Sequence, residues 1–404
     1  MIALLFALAL PAIPAGEAGI ALVGGKVVPC AEGTGAIDPG VVLVAGGAIE
    51  AVGALGAVAV PEGYLRIDAA GRWIVPGFVD LHSHIAGGDL NDTVHPTNPE
   101  LRNLDSVDPE NERLRDARAG GVTTVLFIPG SGSNMSGFGT LLKTAGGTLE
   151  EMLVRFPGAL KIAQAGNPER RAGDLGLGRM GMNWLIRETL RRGRTYAEGW
   201  ARYERGESAA PPPLDPGLEN MRGLFAREYP VAVHTQIFQV VQSSRRILHD
   251  EMGLWTVIDH STFDGYKNAP DYAERGMAVI CGPRTFWFDR DEGRFVGIAA
   301  GWLEGGVTEI GINTDAPVIP QEELSTQAAM NSRLGFPLEA ALRALTIVPA
   351  RAVGIADRVG SLEPGKDADL AVWTGNPIDP RSSVALTLVG GRVAYDPSRE
   401  DRRF

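Results

Sequence analysis

The run Pro76-Gly77-Phe78-Val79-Asp80-Leu81-His82-Ser83-His84 ends in two histidines two residues apart. On a β-strand, side chains at i and i+2 leave the same face, so His82 and His84 present two imidazoles side by side. Neutral imidazole is the commonest protein metal ligand, and the pair is half of a metal site. The chain holds six histidines, and two more close apolar, β-prone runs: His234 after Val231-Ala232-Val233, and His260 after Val257-Ile258-Asp259. A carboxylate follows the same pattern at Asp315, beyond Gly311-Ile312-Asn313-Thr314. Any one of these histidines alone more often ends as a hydrogen-bonded core residue. Four at strand ends, with an aspartate in order behind them, read as ligands for Zn²⁺ or another divalent metal, one ion or two.

Residues so far apart in sequence need a scaffold that gathers strand ends. The middle of the chain alternates β-prone and helix-like stretches. Candidate strands are Phe78-Val79-Asp80, Val122 to Ile128, Thr140-Leu141-Leu142, Ala159 to Ala163, Val231 to Val233, Thr256 to Ile258, Met277 to Ile280 and Glu309 to Ile312, with helical stretches such as 110–119 and 337–345 between them. That alternation implies a parallel sheet, and eight such strands fit a (β/α)8 TIM-like barrel over residues 76–350. Barrel sites lie at the C-terminal mouth, where these five residues fall. Residues 167–229 are too long for one βα step; arginine-rich helical sequence and Pro211-Pro212-Pro213 read as an insertion beside the mouth. Both chain ends, 19–75 and 351–404, show short strands between glycine turns and together predict a small β-sandwich domain.

The ordered set HxH after a PGFVD strand, single histidines on the fifth and sixth strands and an aspartate on the eighth resembles the metal-dependent amidohydrolase superfamily over nearly the whole chain. The closing Gly360-Ser361-Leu362-Glu363-Pro364-Gly365-Lys366-Asp367-Ala368-Asp369-Leu370-Ala371-Val372-Trp373 adds to it. Gly121-Val122-Thr123-Thr124-Val125, Pro129-Gly130-Ser131-Gly132 and Thr314-Asp315-Ala316-Pro317-Val318-Ile319-Pro320 are similar to the imidazolonepropionase-like and prolidase-like branch. The resemblance implies that His82, His84 and Asp315 hold a first metal, and that His234 and His260 hold a second or share the first. It also implies a bridging group on the fourth strand, often a lysine carboxylated by CO₂. Lys161 in Ala159-Leu160-Lys161-Ile162-Ala163 stands there, with Lys143 as a rival and an uncharged barrel lysine as the plain alternative.

A cation so held lowers the pKa of water and polarises a carbonyl. Asp315 then serves as base and later acid, and His260 orients substrate or oxyanion. The expected reaction is hydrolysis of an amide or cyclic amide C–N bond in a dipeptide-like, N-acyl amino acid or ureide-like small molecule. Deaminases of the superfamily place a glutamate three residues after the fifth-strand histidine, and Ile237 occupies that position. A non-catalytic metal-binding protein of the same fold is the alternative from another class; its signature, a lost ligand, is missing from this set.

Other residues carry weaker expectations. Arg284, after the seventh strand, is a candidate for a substrate carboxylate or a structural salt bridge. His95 and His249 read as loop and helix-surface residues. The glycine-rich stretch 129–139 lacks GxxxxGK[ST] and reads as a loop over the mouth rather than a phosphate loop. A net charge of −11 and the absence of a basic stripe argue against nucleic acid. Cys30 and Cys281 form no CxxC, so neither disulfides nor thiolate metal sites are indicated. Residues 1–18 combine an apolar run with small residues, which predicts a signal peptide and export to the periplasm or beyond; the plain alternative is a mis-chosen start or a buried strand in a cytoplasmic chain, and the run is too short to span a bilayer. Oligomeric state is not readable.

Overall fold

The computed structural model describes residues 19–88, 90–164, 166–170 and 175–399. The expected leader, residues 1–18, lies outside the described residues.

Short β-prone runs at both ends of the chain meet in one eight-stranded sheet. Its N-terminal strands are β1 (Gly19–Val27), β2 (Ile37–Ala45), β3 (Ala48–Ala54), β4 (Tyr64–Asp68) and β5 (Trp73–Pro76). Alternation divides β1 between two clusters: Ile20 and Leu22 pack with Val42, Ile74 and Leu370, while Ala21 packs with Val41 and Leu43 on the opposite face. Such a strand is buried on both sides.

The barrel contains β6 (Phe78–Ser83), β7 (Val122–Phe127), β8 (Met135–Lys143), β9 (Leu153–Ala163), β10 (Val231–Thr235), β11 (Thr256–His260) and β12 (Val279–Cys281). A two-stranded hairpin, β13 (Phe286–Asp289) and β14 (Arg294–Gly297), precedes the eighth barrel strand, β15 (Ile310–Ile312). Hydrogen bonding runs in the order β15-β12-β11-β10-β9-β8-β7-β6. A bridge between Ser83 and Ala316, with His84 N donating to Ala316 O at 2.9 Å, brings the two edges together. The chain then returns to the first sheet through β16 (Leu370–Trp373), β17 (Val384–Val389) and β18 (Arg392–Tyr395), where β16 pairs with β5. The strands of both ends thus form one continuous sheet.

One barrel strand departs from expectation. β8 runs antiparallel to both β7 and β9. Residues 128–134 are the whole connection from β7 to β8, and a parallel crossover needs a dozen residues or more. The chain therefore turns back as a hairpin, and residues 135–139, expected as loop, are strand.

Val79, Leu81, Leu126, Leu141, Ala159, Ala232, Val257 and Ile280 fill the barrel, and Ala350, Val353, Ile355 and Val359 join the same cluster. Between the strands and the helices, Trp302 is fully buried, edge-on to Tyr272 with ring centroids 5.1 Å apart. Its indole N–H donates to Ser261 O at 3.4 Å, beside the histidine end of β11. Trp302→Ala is expected to cost about 3–5 kcal/mol, read as a drop in the denaturant midpoint. A shift near that of a surface substitution would show that the layer collapses into the space.

The insertion contains a helix over Arg179–Glu204, whose buried residues Met182, Ile186, Thr189, Leu190, Gly193 and Ala197 recur at three- and four-residue steps. Gln164 at the end of β9 donates to Asn183 Oδ1 at 2.6 Å and ties this helix to the mouth. Among the described residues, no helix is long and apolar enough to cross a membrane.

Candidate metal centre

Parity along the strands accounts for most of the site. Ala159 lies in the barrel cluster, so Lys161 two residues on also points inward and is fully buried. Ala232 places His234 in the same way, and Val257 places Asp259. His82 and His260 break the parity. Between Asp80 and Ser83, β6 spends three residues where β7 spends two, from Val125 to Phe127. This bulge turns His82 into the barrel directly after the inward Leu81. His260 follows the inward Asp259 and turns in through a left-handed backbone, φ 68°, as does Asp315, φ 53°. Such conformations cost energy in residues with a Cβ and cluster at functional sites.

The rings converge. Centroids of His82 and His260 are 4.2 Å apart, His234 and His260 4.5 Å, and His82 and His84 5.2 Å. Asp315 Oδ1 lies 3.4 Å from Nε2 of both His82 and His84, and Oδ2 lies 3.9 Å from His260 Nε2. Lys161 Nζ is 3.0 Å from His82 Nε2. Two triads have ligand atoms mutually within 4.8 Å: His82, His234, His260 and His82, His84, Asp315. They share His82.

Hydrogen bonds on the far side of the rings decide which nitrogen is available. His84 Nδ1 is 2.8 Å from the carbonyl of Ile128, and His260 Nδ1 is 2.7 Å from that of Gly282. A carbonyl only accepts, so Nδ1 carries the proton and Nε2 offers its lone pair to the centre. His82 Nδ1 lies 2.9 Å from Asp259 Oδ2. The buried Nε2 of His260 makes no hydrogen bond among the described residues. Burial holds His82 and His260 below the usual imidazole range, helped at His82 by Lys161 and opposed at His260 by Asp315, with His260 at about 4, so both stay neutral. Burial opposes the charge on Asp315, but His260 and His84 outweigh it and hold the carboxyl below its usual range. Burial also lowers the amine of Lys161 and raises the carboxyl of Asp259. Neutral imidazoles, a carboxylate and an orphaned buried nitrogen make a donor set that fits a divalent cation.

A buried cluster behind the ligands was not singled out in the sequence. Asp80 accepts from His82 N at 2.9 Å, from Thr314 N and Oγ1 at 3.0 and 2.7 Å, and from Gln321 Nε2 at 2.7 Å. It clamps the strand of His82 and His84 to the segment of Asp315. Asp80→Ala leaves those donors buried without partners. Metal affinity is expected to fall about 10- to 100-fold, measured by competition with a chelator. Unchanged affinity would reduce the clamp to a fold contact.

The remaining expectations divide. Lys143 lies away from the centre, in buried ion pairs with Asp369 and, at 2.8 Å, Asp367, and so gives way to Lys161. Arg284 is exposed, its guanidinium 5.0 Å over the Phe263 ring, and does not line the cavity of about 510 Å³ that holds His84, His234 and Asp315. The cavity wall carries Arg113 instead, a residue with no strand-end signature in the sequence. Gly130 and Ser131 from the loop after β7 and Asn167 from the insertion also reach this wall. His95 is exposed, and His249 lines a separate cavity with Arg227, Arg275 and Arg351. Cys30 and Cys281 are both buried and unpaired.

Residues 298–394 match the Amidohydrolase family model. An amidohydrolase from Thermotoga maritima MSB8 is 31% identical, with a TM-score of 0.83, covering 93% of this chain and 100% of that one. The chain belongs to the amidohydrolase superfamily and is a hydrolase on a TIM-like barrel. Within the superfamily it aligns with the imidazolonepropionase-like branch: an imidazolonepropionase of Rhizobium meliloti (strain 1021) is 28% identical over 368 residues, 82% of each chain. Amidohydrolase tasK of Hapsidospora irregularis is 26% identical over 380 residues, 83% of this chain but 38% of that protein, so the chain spans under two fifths of that relative.

Proposed function

We propose that this hydrolase uses a divalent metal, zinc or a similar ion, to cleave an amide or cyclic amide C–N bond in a small molecule. The observation that carries the reading is the convergence of His82, His84, His234, His260, Lys161 and Asp315 at the mouth, in two ligand triads that share His82, with Lys161 beside it. His82, His84 and Asp315 would hold one ion, and His234 and His260 a second or the same one. Bound there, a cation supplies a more acidic water and a polarised carbonyl. The two oxygens of Asp315 divide the labour. Oδ1 faces His82 and His84, while Oδ2 faces His260 and is the oxygen that takes a proton from water and returns it to the leaving nitrogen. Its depressed pKa keeps it ready to accept at neutral pH. His260, fixed by the Gly282 carbonyl, orients the substrate or the developing oxyanion.

Lys161 is the proposed bridging group. Its lowered pKa favours the free amine, which adds to the carbon of CO₂ and loses one proton to give a carbamate. Ile237 offers no carboxylate three residues after His234, which favours hydrolysis over deamination. The same reading takes 19–75 with 351–404 as a β-sandwich domain beside a barrel of 76–350, and residues 1–18 as an export leader.

The test is metal analysis of the purified protein beside a hydrolysis screen of dipeptides, acylated amino acids and cyclic ureides. Stoichiometric metal with chelator-sensitive turnover supports the proposal. Stoichiometric metal without any turnover would put the metal-binding alternative ahead.

A further inference from the structure

The cavity above the candidate metal centre has a lopsided charge. Among the described residues that line it, Asp315 is the one carboxylate, and it faces inward to the histidines. Arg113 is the one lysine or arginine. Around them the wall is neutral: backbone at glycines, the amides of Asn91 and Asn167, and apolar surface at Leu90, Pro317 and Val318.

Arg113 is the second residue of the helix Glu112–Ala119, which starts at the mouth. Its backbone N–H is capped by Asn111 Oδ1 at 3.1 Å, and Leu114 and Ala117 anchor the same helix in the core. The side chain is exposed and makes no ion pair with any described carboxylate. Arg187, Arg245 and Arg351 hold carboxylates, whereas Arg113 and Arg284 hold none among the described residues, and of these two Arg113 lines the cavity. An arginine left uncommitted on a rigid helix, facing the cavity of the reacting carbonyl, is suited to a ligand's charge. Its planar fork matches a carboxylate with two parallel hydrogen bonds.

We infer that Arg113 is a specificity-determining residue that grips a carboxylate on the part of the substrate lying away from the scissile bond. The enzyme accordingly selects anionic amides over their neutral counterparts. This rests on the hydrolase reading above. It also moves the expected carboxylate contact from Arg284, after the seventh strand, to the helix after the first. Because the guanidinium is exposed, the selectivity weakens as salt is raised.

The test uses the metal-loaded protein and matched pairs: N-acyl amino acids and dipeptides against the same compounds as C-terminal carboxamides. Binding is read by calorimetry and turnover by initial rates. Wild type is expected to prefer the carboxylate member. Arg113→Ala is expected to lose about 10- to 100-fold in binding and to raise KM for that member alone, with kcat within about threefold of wild type. Arg113→Lys restores part of the loss, and Arg284→Ala behaves as wild type. Equal binding of both members by wild type, or a preference that survives Arg113→Ala, would overturn the inference. Carboxylate binding that depends on Arg113 but leads to no turnover would uphold it while removing the hydrolase reading, so the two failures are distinguishable.

Discussion

Asp315→Asn is expected to keep most of its metal and lose turnover by about 10²- to 10⁴-fold, the range for removing a positioned proton carrier. The amide matches the carboxylate in shape, and its oxygen can still face His82 and His84 as Oδ1 does now. What it lacks is basicity. Metal content and initial rates measured on one preparation separate the two roles. Full activity would remove Asp315 as the proton carrier, and complete loss of metal would recast it as a ligand above all.

The second large effect is expected at Lys161. This side chain is fully buried, and its amine lies 3.0 Å from a histidine nitrogen instead of against a hydrogen-bonded carboxylate. An ammonium there is poorly compensated, whereas a carbamate would place oxygens among ligands that want them. Lys161→Met preserves most of the volume and removes the nitrogen. Bound metal should fall, and turnover with it by about 10- to 100-fold, of the order found when metal support is removed. Intact-mass measurement of wild type in bicarbonate should show the gain of one CO₂, reversed by acid. If Lys161→Met retains full metal and activity, Lys161 is an ordinary barrel lysine and the centre is built from imidazoles and Asp315 alone.

Much of this was legible because strand ends leave marks in sequence. Apolar runs closing on His82, His84, His234, His260 and Asp315 located the mouth, and their order located the barrel. The supporting layer was less visible. Asp259 lay in plain view beside His260, but alternation says that neighbours face opposite ways, and only the left-handed backbone at His260 lets both turn inward. Asp80 belongs with residues some 230 positions away, Thr314 and Gln321, and no local pattern announces such a contact. The bulge that redirects His82 comes from pairing with β7, which β6 alone does not specify. Arg113 and Arg284 show the same limit. Arg284 stands just past β12, whereas Arg113 sits on a helix well beyond the end of β6, and only the path of the chain between decides which one reaches the cavity. The reversal of β8 is a different case: the short span after Phe127 already excluded a crossover.

The sheet shared by the two chain ends carries a consequence for synthesis. Trp73 on β5 pairs with Trp373 on β16, three hundred residues later. During translation the edge of β5 therefore waits, unpaired, until nearly the whole barrel has left the ribosome. Ile74, which shares its cluster with Leu22 and Val42 as well as Leu370 and Val372, lacks the C-terminal part of its cover for the same interval. Pairing between segments so distant in sequence forms slowly, and the edge left open meanwhile is exposed to aggregation or to chaperones.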